Sequence, residues 1–138
     1  MGSLDTLIRI SKHELDEKRR ALKELYDTLN AYEDAKQALK DGIAREQKAL
    51  DGQEWNAHLT YAAFHRKSEK EIAELSKKIA TVEKEIFVLR DEMLEVFGEM
   101  KRYDIANELR RRIEDEARRL AETKTLDEIA LEIFRRAE

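Results

Sequence analysis

The sequence predicts an all-α protein: a long antiparallel two-helix coiled-coil hairpin with a short C-terminal helix, in a single domain of 138 residues. Charged residues make up 42% of the chain, while four glycines and no proline leave few turns. Apolar residues recur at the alternating spacing of three and four that keeps one helical stripe facing a partner. Two such stripes flank a central break, and this arrangement favours a chain that folds back on itself.

The first stripe predicts helix 1 at about residues 4–50. Its heptad core positions are mostly apolar, but four polar residues interrupt them. These side chains either reach solvent over a thin core or set the register of the helix pair; the sequence leaves both readings open. The interrupting residues are Ser11, Lys18, Lys36 and Glu46.

The break predicts a tip at residues 51–60. Asp51-Gly52 is a helix-stop signal, and Leu50 and Ile72 lie 22 residues apart, one more than three heptads. A continuous coiled coil has no reason to shift its phase here, so the first stripe is expected to pack against the second. The alternative is one bent helix that pairs with a second chain.

The second stripe predicts helix 2 at about residues 61–122. It keeps its heptad spacing from Ile72 to Tyr103 and then drifts to intervals nearer four, which changes the apolar face. Helix 2 is longer than helix 1, so its end is expected to project beyond the hairpin. Thr125 to Glu128 then has the spacing of a capping box and predicts a separate short helix at residues 126–137.

Two groups of residues are candidates for partner binding. Trp55, Tyr61 and Phe64 gather aromatic area at the tip, where they either plug the turn or form a binding hot spot. An arginine-rich stretch in helix 2 is either a salt-bridged solvated face or an end that meets an acidic protein surface, with nucleic acid as a third reading. Its arginines are Arg110, Arg111, Arg112, Arg118 and Arg119.

The sequence offers nothing typical of an enzyme, a metal site or a cofactor site. There is no cysteine, and His58 and His65 do not have a zinc-binding spacing. The carboxylates are spread over solvated faces, and a two-helix rod has no pocket that could shift their pKa values. A net charge of −4 argues against nucleic acid, and no apolar run is long enough to span a membrane.

Two stretches carry a resemblance to a known family: the opening "LDTLIRISKHELDEKRRALKEL" and the tip "EWNAHLTYAAFHRKSEKEI". The chain resembles the FliJ family, the coiled-coil component of the bacterial flagellar type III export apparatus. Trp55, Tyr61 and Phe64 match the aromatic region of that family. The resemblance implies an antiparallel hairpin similar to the central shaft subunit of rotary ATPases.

The resemblance also implies partners and a cytoplasmic location, peripheral at the export apparatus. These partners are the export ATPase hexamer, the cytoplasmic domain of the export gate protein and the export chaperones that deliver substrates. The resemblance places Phe64 in the gate-contacting patch, followed on the same helical face by Ser68, Glu71 and Leu75. The arginines from Arg110 to Arg119 would lie where the shaft meets the ATPase ring.

Two further classes suit the same physical properties. One is the stalk protein of an injectisome, and the other is a homo-oligomeric coiled-coil scaffold. A stiff, acidic rod without a pocket fits each of them, because composition and heptad spacing report the shape of a molecule and not its partners.

Overall fold

The computed structural model describes residues 2–137, which form two long helices and no strand. Helix α1 covers Ser3–Ala49, and helix α2 covers Trp55–Ala137. The prediction of an all-α, antiparallel two-helix hairpin is confirmed. The packing divides the chain into two compact units, one of Leu15–Leu94 and one of Met1–Glu14 with Glu95–Glu138.

The helices run antiparallel in the unit Leu15–Leu94. The Lys18 ammonium lies 3.2 Å from a Glu92 carboxylate oxygen. Further along α1, the Lys78 ammonium lies 5.7 Å from the centre of the Tyr32 ring. As residue numbers rise on α1 they fall on α2, which is the pairing of a hairpin.

Buried aliphatic side chains hold this unit together. Leu15 on α1 and Ile72, Val82 and Ile86 on α2 are the buried apolar residues of the unit. On α2 they recur at heptad-compatible intervals, so they form one stripe that faces α1. Lys18 interrupts the stripe, yet its side chain extends outward to Glu92, as expected for a long side chain that lies over a thin core.

The other unit pairs the first turns of α1 with the second half of α2. Ile8, Val96 and Met100 form its buried apolar core, and Ser11 and Asn107 are buried polar residues beside them. Asn107 donates a hydrogen bond of 2.8 Å to the Asp5 carboxylate. No buried side-chain nitrogen or oxygen lacks a hydrogen-bond partner in the part of the chain that the structure describes.

The connection between the helices is shorter than the sequence predicts. The predicted tip at 51–60 and the predicted start of helix 2 at 61 are wrong, because α2 begins at Trp55. The last turn of α1 closes with backbone hydrogen bonds from Leu50 to Gln47 and from Asp51 to Lys48. Gly52 then adopts a φ of 77°, in the left-handed region that glycine enters without a steric cost.

The predicted short C-terminal helix is not a separate element, because α2 continues without a break to Ala137. Thr125 does not cap a new helix. Its hydroxyl donates a hydrogen bond of 3.0 Å to the Ala121 carbonyl one turn earlier, as threonine does inside a helix. With neither glycine nor proline between residues 99 and 137, nothing in the backbone forces an end.

The end of α2 has no packing partner among the described residues. Every residue from 108 to 137, named here the C-terminal segment, is exposed to solvent. Large apolar side chains, including Leu109, Ile113, Leu120 and Phe134, are exposed along it. Neither helix contains, within residues 2–137, a stretch long and apolar enough to cross a membrane.

Candidate functional site

Tyr61 and Phe64 lie at the edge of the helix pair near the tip. They line an open groove together with residues of both helices. The Phe64 ring lies beside Gly42 of α1, where an added Cβ atom would be 3.9 Å from its Cζ atom. Phe64 is nevertheless 37% exposed, so part of the ring packs and part remains available. The groove is lined by Glu46, Ala49, Leu50, Gln53, Ala57, Thr60, Tyr61 and Phe64.

Trp55 lies on a different face of α2 from Phe64. At about 100° per residue, nine residues turn a helix to roughly its opposite side. Trp55 is 74% exposed, and Leu59, one turn later on the same side, is also exposed. Trp55 and Leu59 therefore form a second, exposed apolar patch at the tip, and they do not serve only to pack the turn.

The three residues that follow Phe64 on its helical face differ in accessibility. Ser68 is buried against α1, so it belongs to the packing of the hairpin. Glu71 and Leu75 are half-buried. Both line a second groove, which α1 borders with Ala35, Ala38 and Leu39. The accessible surface is thus a strip along the edge of the helix pair, from Phe64 through Glu71 to Leu75.

Two of the five arginines lie beside the start of α1, and one of them, Arg111, forms an ion pair with it. Within α2, Arg110 donates a hydrogen bond of 2.9 Å to the Asn107 side-chain oxygen and pairs with Glu114 at 3.2 Å. Arg111 lies 3.7 Å from the Asp5 carboxylate of α1. The hydrogen bond from Asn107 is the main cause that lowers the pKa of Asp5, assisted by the Gly2 backbone amide and the two arginine charges. Asp5 and Asn107 therefore fasten the first turn of α1 to α2.

The other three arginines face solvent. Arg112 pairs with Glu108 at 2.9 Å, and Arg118 pairs with Asp115 at 2.7 Å, both along the same helix. Arg119 forms no ion pair with another residue of the described chain. Exposed ion pairs of this kind contribute about 0–1 kcal/mol each, so an acidic partner could replace them at little cost.

Two exposed apolar groups on α2 are not predicted from the sequence: Phe87 with Leu94, and Leu59. Phe87 and Leu94 are 73% and 68% exposed on the side of α2 away from the buried stripe. Leu59 lies four residues after Trp55, and Leu94 lies seven residues after Phe87. Both spacings place the two side chains on one helical face, and they are the signal in the sequence from which these groups could be predicted.

The chemistry available to these surfaces is recognition of other macromolecules. Residues 2–137 contain no group of three or more histidine or acidic side chains placed to hold a metal ion. The grooves between the helices are shallow and open along the edge of the pair. Large exposed aromatic and aliphatic residues near clustered charges are typical of protein-binding surfaces.

A comparison with protein families identifies one match, to the family described as "Flagellar FliJ protein", over residues 1–138. The chain belongs to the FliJ family. It is thus a coiled-coil flagellar export protein, a non-enzymatic structural component of the export apparatus. Comparisons with curated proteins and with solved structures gave no match.

For a FliJ protein, the antiparallel helix pair has a direct consequence. The pair places the tip residues at the end of the unit Leu15–Leu94 where the chain turns. The arginines and the C-terminal segment belong to the other unit. The two candidate surfaces therefore belong to different units of the chain.

Proposed function

We propose that this FliJ-family protein acts as a shaft and adaptor between the export ATPase ring and the export gate, and assists the delivery of substrate–chaperone complexes. In this proposal it works in the cytoplasm and reaches the membrane only through its partners. The observation that carries the proposal is the C-terminal segment. This stretch of some 30 residues buries nothing in its own chain, and it is suited to a partner because most helices in proteins are stabilised by packing their apolar face.

The C-terminal segment suits the inside of an ATPase ring. It offers apolar side chains such as Leu109, Ile113 and Leu120 together with seven arginines. Arginine forms bidentate hydrogen bonds with carboxylates, so an acidic and apolar ring surface would complement this segment. Arg112, Arg118 and Arg119 are free to turn toward such a surface, because their present interactions are local or absent.

The tip suits the gate protein. The strip formed by Phe64, Glu71 and Leu75 combines an aromatic ring, a carboxylate and an aliphatic side chain along an open groove. Trp55 adds a large exposed aromatic on the opposite side of α2. Aromatic side chains of this kind supply most of the binding energy in many interfaces.

Binding of purified export ATPase and of the purified cytoplasmic domain of the gate protein, measured by titration calorimetry, tests the proposal. The protein is expected to bind both, and to bind the gate domain while it is held by the ATPase. Absence of affinity for both components would overturn the proposal.

Phe64→Ala is expected to weaken binding of the gate domain at least tenfold, since truncation of a hot-spot aromatic costs about 2 kcal/mol or more. Binding of the ATPase and the thermal unfolding midpoint should change little, because the ring is partly exposed and lies at the edge of the helix pair. Phe87→Ala removes an exposed phenylalanine elsewhere on α2 and serves as the matched control. A large fall in the unfolding midpoint with unchanged gate binding would show that Phe64 is structural.

A further inference from the structure

A second apolar line runs along α2 outside the hairpin core. It contains Ala73, Ala80, Phe87 and Leu94 at strict seven-residue intervals, and all four residues are exposed. Phe87 is 73% and Leu94 is 68% exposed. A repeat of seven keeps these side chains on one face when two helices pair. We call this line the outer stripe.

The outer stripe shares no residue with the tip surfaces or with the C-terminal segment. It lies in the unit Leu15–Leu94, whereas the C-terminal segment belongs to the other unit. Val82 and Ile86 are buried against α1, whereas Phe87 follows Ile86 by about 100° around the helix and points away from the core. A phenylalanine and a leucine aligned on a solvated face, next to alanines that let another helix approach closely, form a surface that fits a second helix.

The charges beside the outer stripe are arranged with a two-fold pattern around Phe87. Glu83 and Arg90 lie on one side of the stripe, while Lys84 and Asp91 lie on the other. None of the four forms an ion pair with a described residue. Arg90 donates a long hydrogen bond of 3.4 Å to the Tyr26 hydroxyl, and this contact leaves its charge uncompensated.

We propose that the outer stripe is a docking site for a second copy of this chain, with the two α2 helices antiparallel and a two-fold axis at Phe87. The two Phe87 rings then meet at the axis, and Ala80 of each copy receives Leu94 of the other. The same register places Glu83 opposite Arg90 of the second copy and Lys84 opposite Asp91. Such a self-complementary contact closes at two copies and does not propagate.

The sizes of the apolar side chains favour this orientation over a parallel one. In a parallel pair with Phe87 aligned, each flank of the stripe would face the other flank of the partner, so Glu83 would face Lys84 and Arg90 would face Asp91, and these contacts also join opposite charges. Leu94 would then lie against Leu94 and Ala80 against Ala80, whereas the antiparallel pair sets each Leu94 against the small Ala80 of the other copy. In the antiparallel pair all four flanking contacts join opposite charges. The charges thus specify a second copy of the same face rather than an unrelated apolar surface.

The contact is small, so the association is weak. One phenylalanine, one leucine and two alanines per copy lie well below the roughly 1,200 Å² that a stable interface buries. A dissociation constant in the upper micromolar range is therefore expected, which makes the pairing effective where several copies are held close together.

Sedimentation velocity over a concentration series from about 10 µM to about 1 mM tests the proposal, because that range covers weak association. The unchanged protein is expected to shift from a monomer of 16.3 kDa toward a dimer as its concentration rises. Phe87→Ala should raise the dissociation constant at least tenfold. Phe134→Ala, which removes a similarly exposed phenylalanine from the C-terminal segment, should leave it unchanged.

Charge reversal and crosslinking test the orientation. Glu83→Arg should weaken the dimer, and Glu83→Arg combined with Arg90→Glu should restore it. The chain has no cysteine, so a mixture of the Lys84→Cys and Asp91→Cys variants should form the mixed disulfide in preference to either symmetric one. A monomer at every concentration, a dimer that is lost with Phe134→Ala but kept with Phe87→Ala, or a preferred symmetric disulfide would overturn the proposal.

Discussion

Ile86→Asp is expected to unfold the helix pair of the unit Leu15–Leu94. Ile86 is 7% exposed and lies within the buried stripe of α2. The change removes an aliphatic side chain, a loss of about 2–5 kcal/mol for large-to-small core substitutions, and places a carboxylate where it has no partner. Since domains of this size are stable by only about 5–15 kcal/mol, the helix pair cannot tolerate both effects.

Circular dichroism and thermal unfolding measure this result. The Ile86→Asp variant should lose most of its helical signal at 25 °C, or should unfold at least 15 °C earlier than the unchanged protein (about 4–8 °C per kcal/mol for small domains). Phe87→Asp is the matched control, because it introduces the same charge at the neighbouring exposed position. Equal damage from the two substitutions would show that Ile86 does not lie in the core.

A chain that ends after Arg111 is expected to keep the stability of the hairpin and to lose the export ATPase. No residue from 112 to 137 is buried, so the deletion removes no packing. The thermal unfolding midpoint should therefore move by no more than about 2 °C. Arg112, Arg118, Arg119 and the apolar side chains Ile113 and Leu120 are lost together, and binding of the ATPase should fall at least a hundredfold (about 2.7 kcal/mol).

The full-length variant Leu120→Asp tests whether the side chains of the C-terminal segment, and not only its length, are needed to bind the ATPase. Leu120 is 71% exposed, so the variant should fold normally and still bind the ATPase more weakly than the unchanged protein. Glu122→Gln on the same turn serves as the control that removes a charge without affecting the apolar face. If the truncated chain bound the ATPase as well as the full chain does, the C-terminal segment would not be the ring-binding element.

The helix pair itself could be predicted from the sequence, because its physical cause is periodic. The spacing of Ile72, Val82 and Ile86 reflects a single stripe buried along one partner. The turn was also predictable, since only Gly52 combines a central position with freedom to adopt a positive φ. The helix pair follows from a repeated spacing of apolar residues, and the turn follows from one glycine at the centre of the chain.

The first and last residues of the helices were harder to predict from the sequence. Hydrogen bonds that end a helix and hydrogen bonds that continue it compete within a few residues. Thr125 and Glu128 have the spacing of a capping box, but the Thr125 hydroxyl bonds to the Ala121 carbonyl and the helix continues. Similarly, Trp55 resembles a loop aromatic, yet the amide of Ala57 bonds to the Glu54 carbonyl and a helix is already under way. Helix propensity and a capping signal in the sequence do not decide whether a helix ends or continues at such a residue.

The sequence predicted the tip surface only in part. Trp55, Tyr61 and Phe64 are conspicuous because aromatics are rare in this chain, but the separation of Trp55 and Phe64 onto opposite sides of α2 depends on where the helix begins. Ser68 was expected on the accessible face and is buried against α1. The outer stripe was not predicted, because Phe87 and Leu94 lie outside the heptad positions that form the buried stripe and are exposed to solvent.

A distance between spin labels at Glu24 and Glu85 tests most directly whether the chain folds back on itself. Both residues are exposed in the unit Leu15–Leu94, and the absence of cysteine allows specific labelling. Packed helices lie 8–10 Å apart, so pulsed electron paramagnetic resonance on dilute protein should give a distance below about 25 Å. A distance near 90 Å, as in one continuous helix rising about 1.5 Å per residue, would contradict the hairpin.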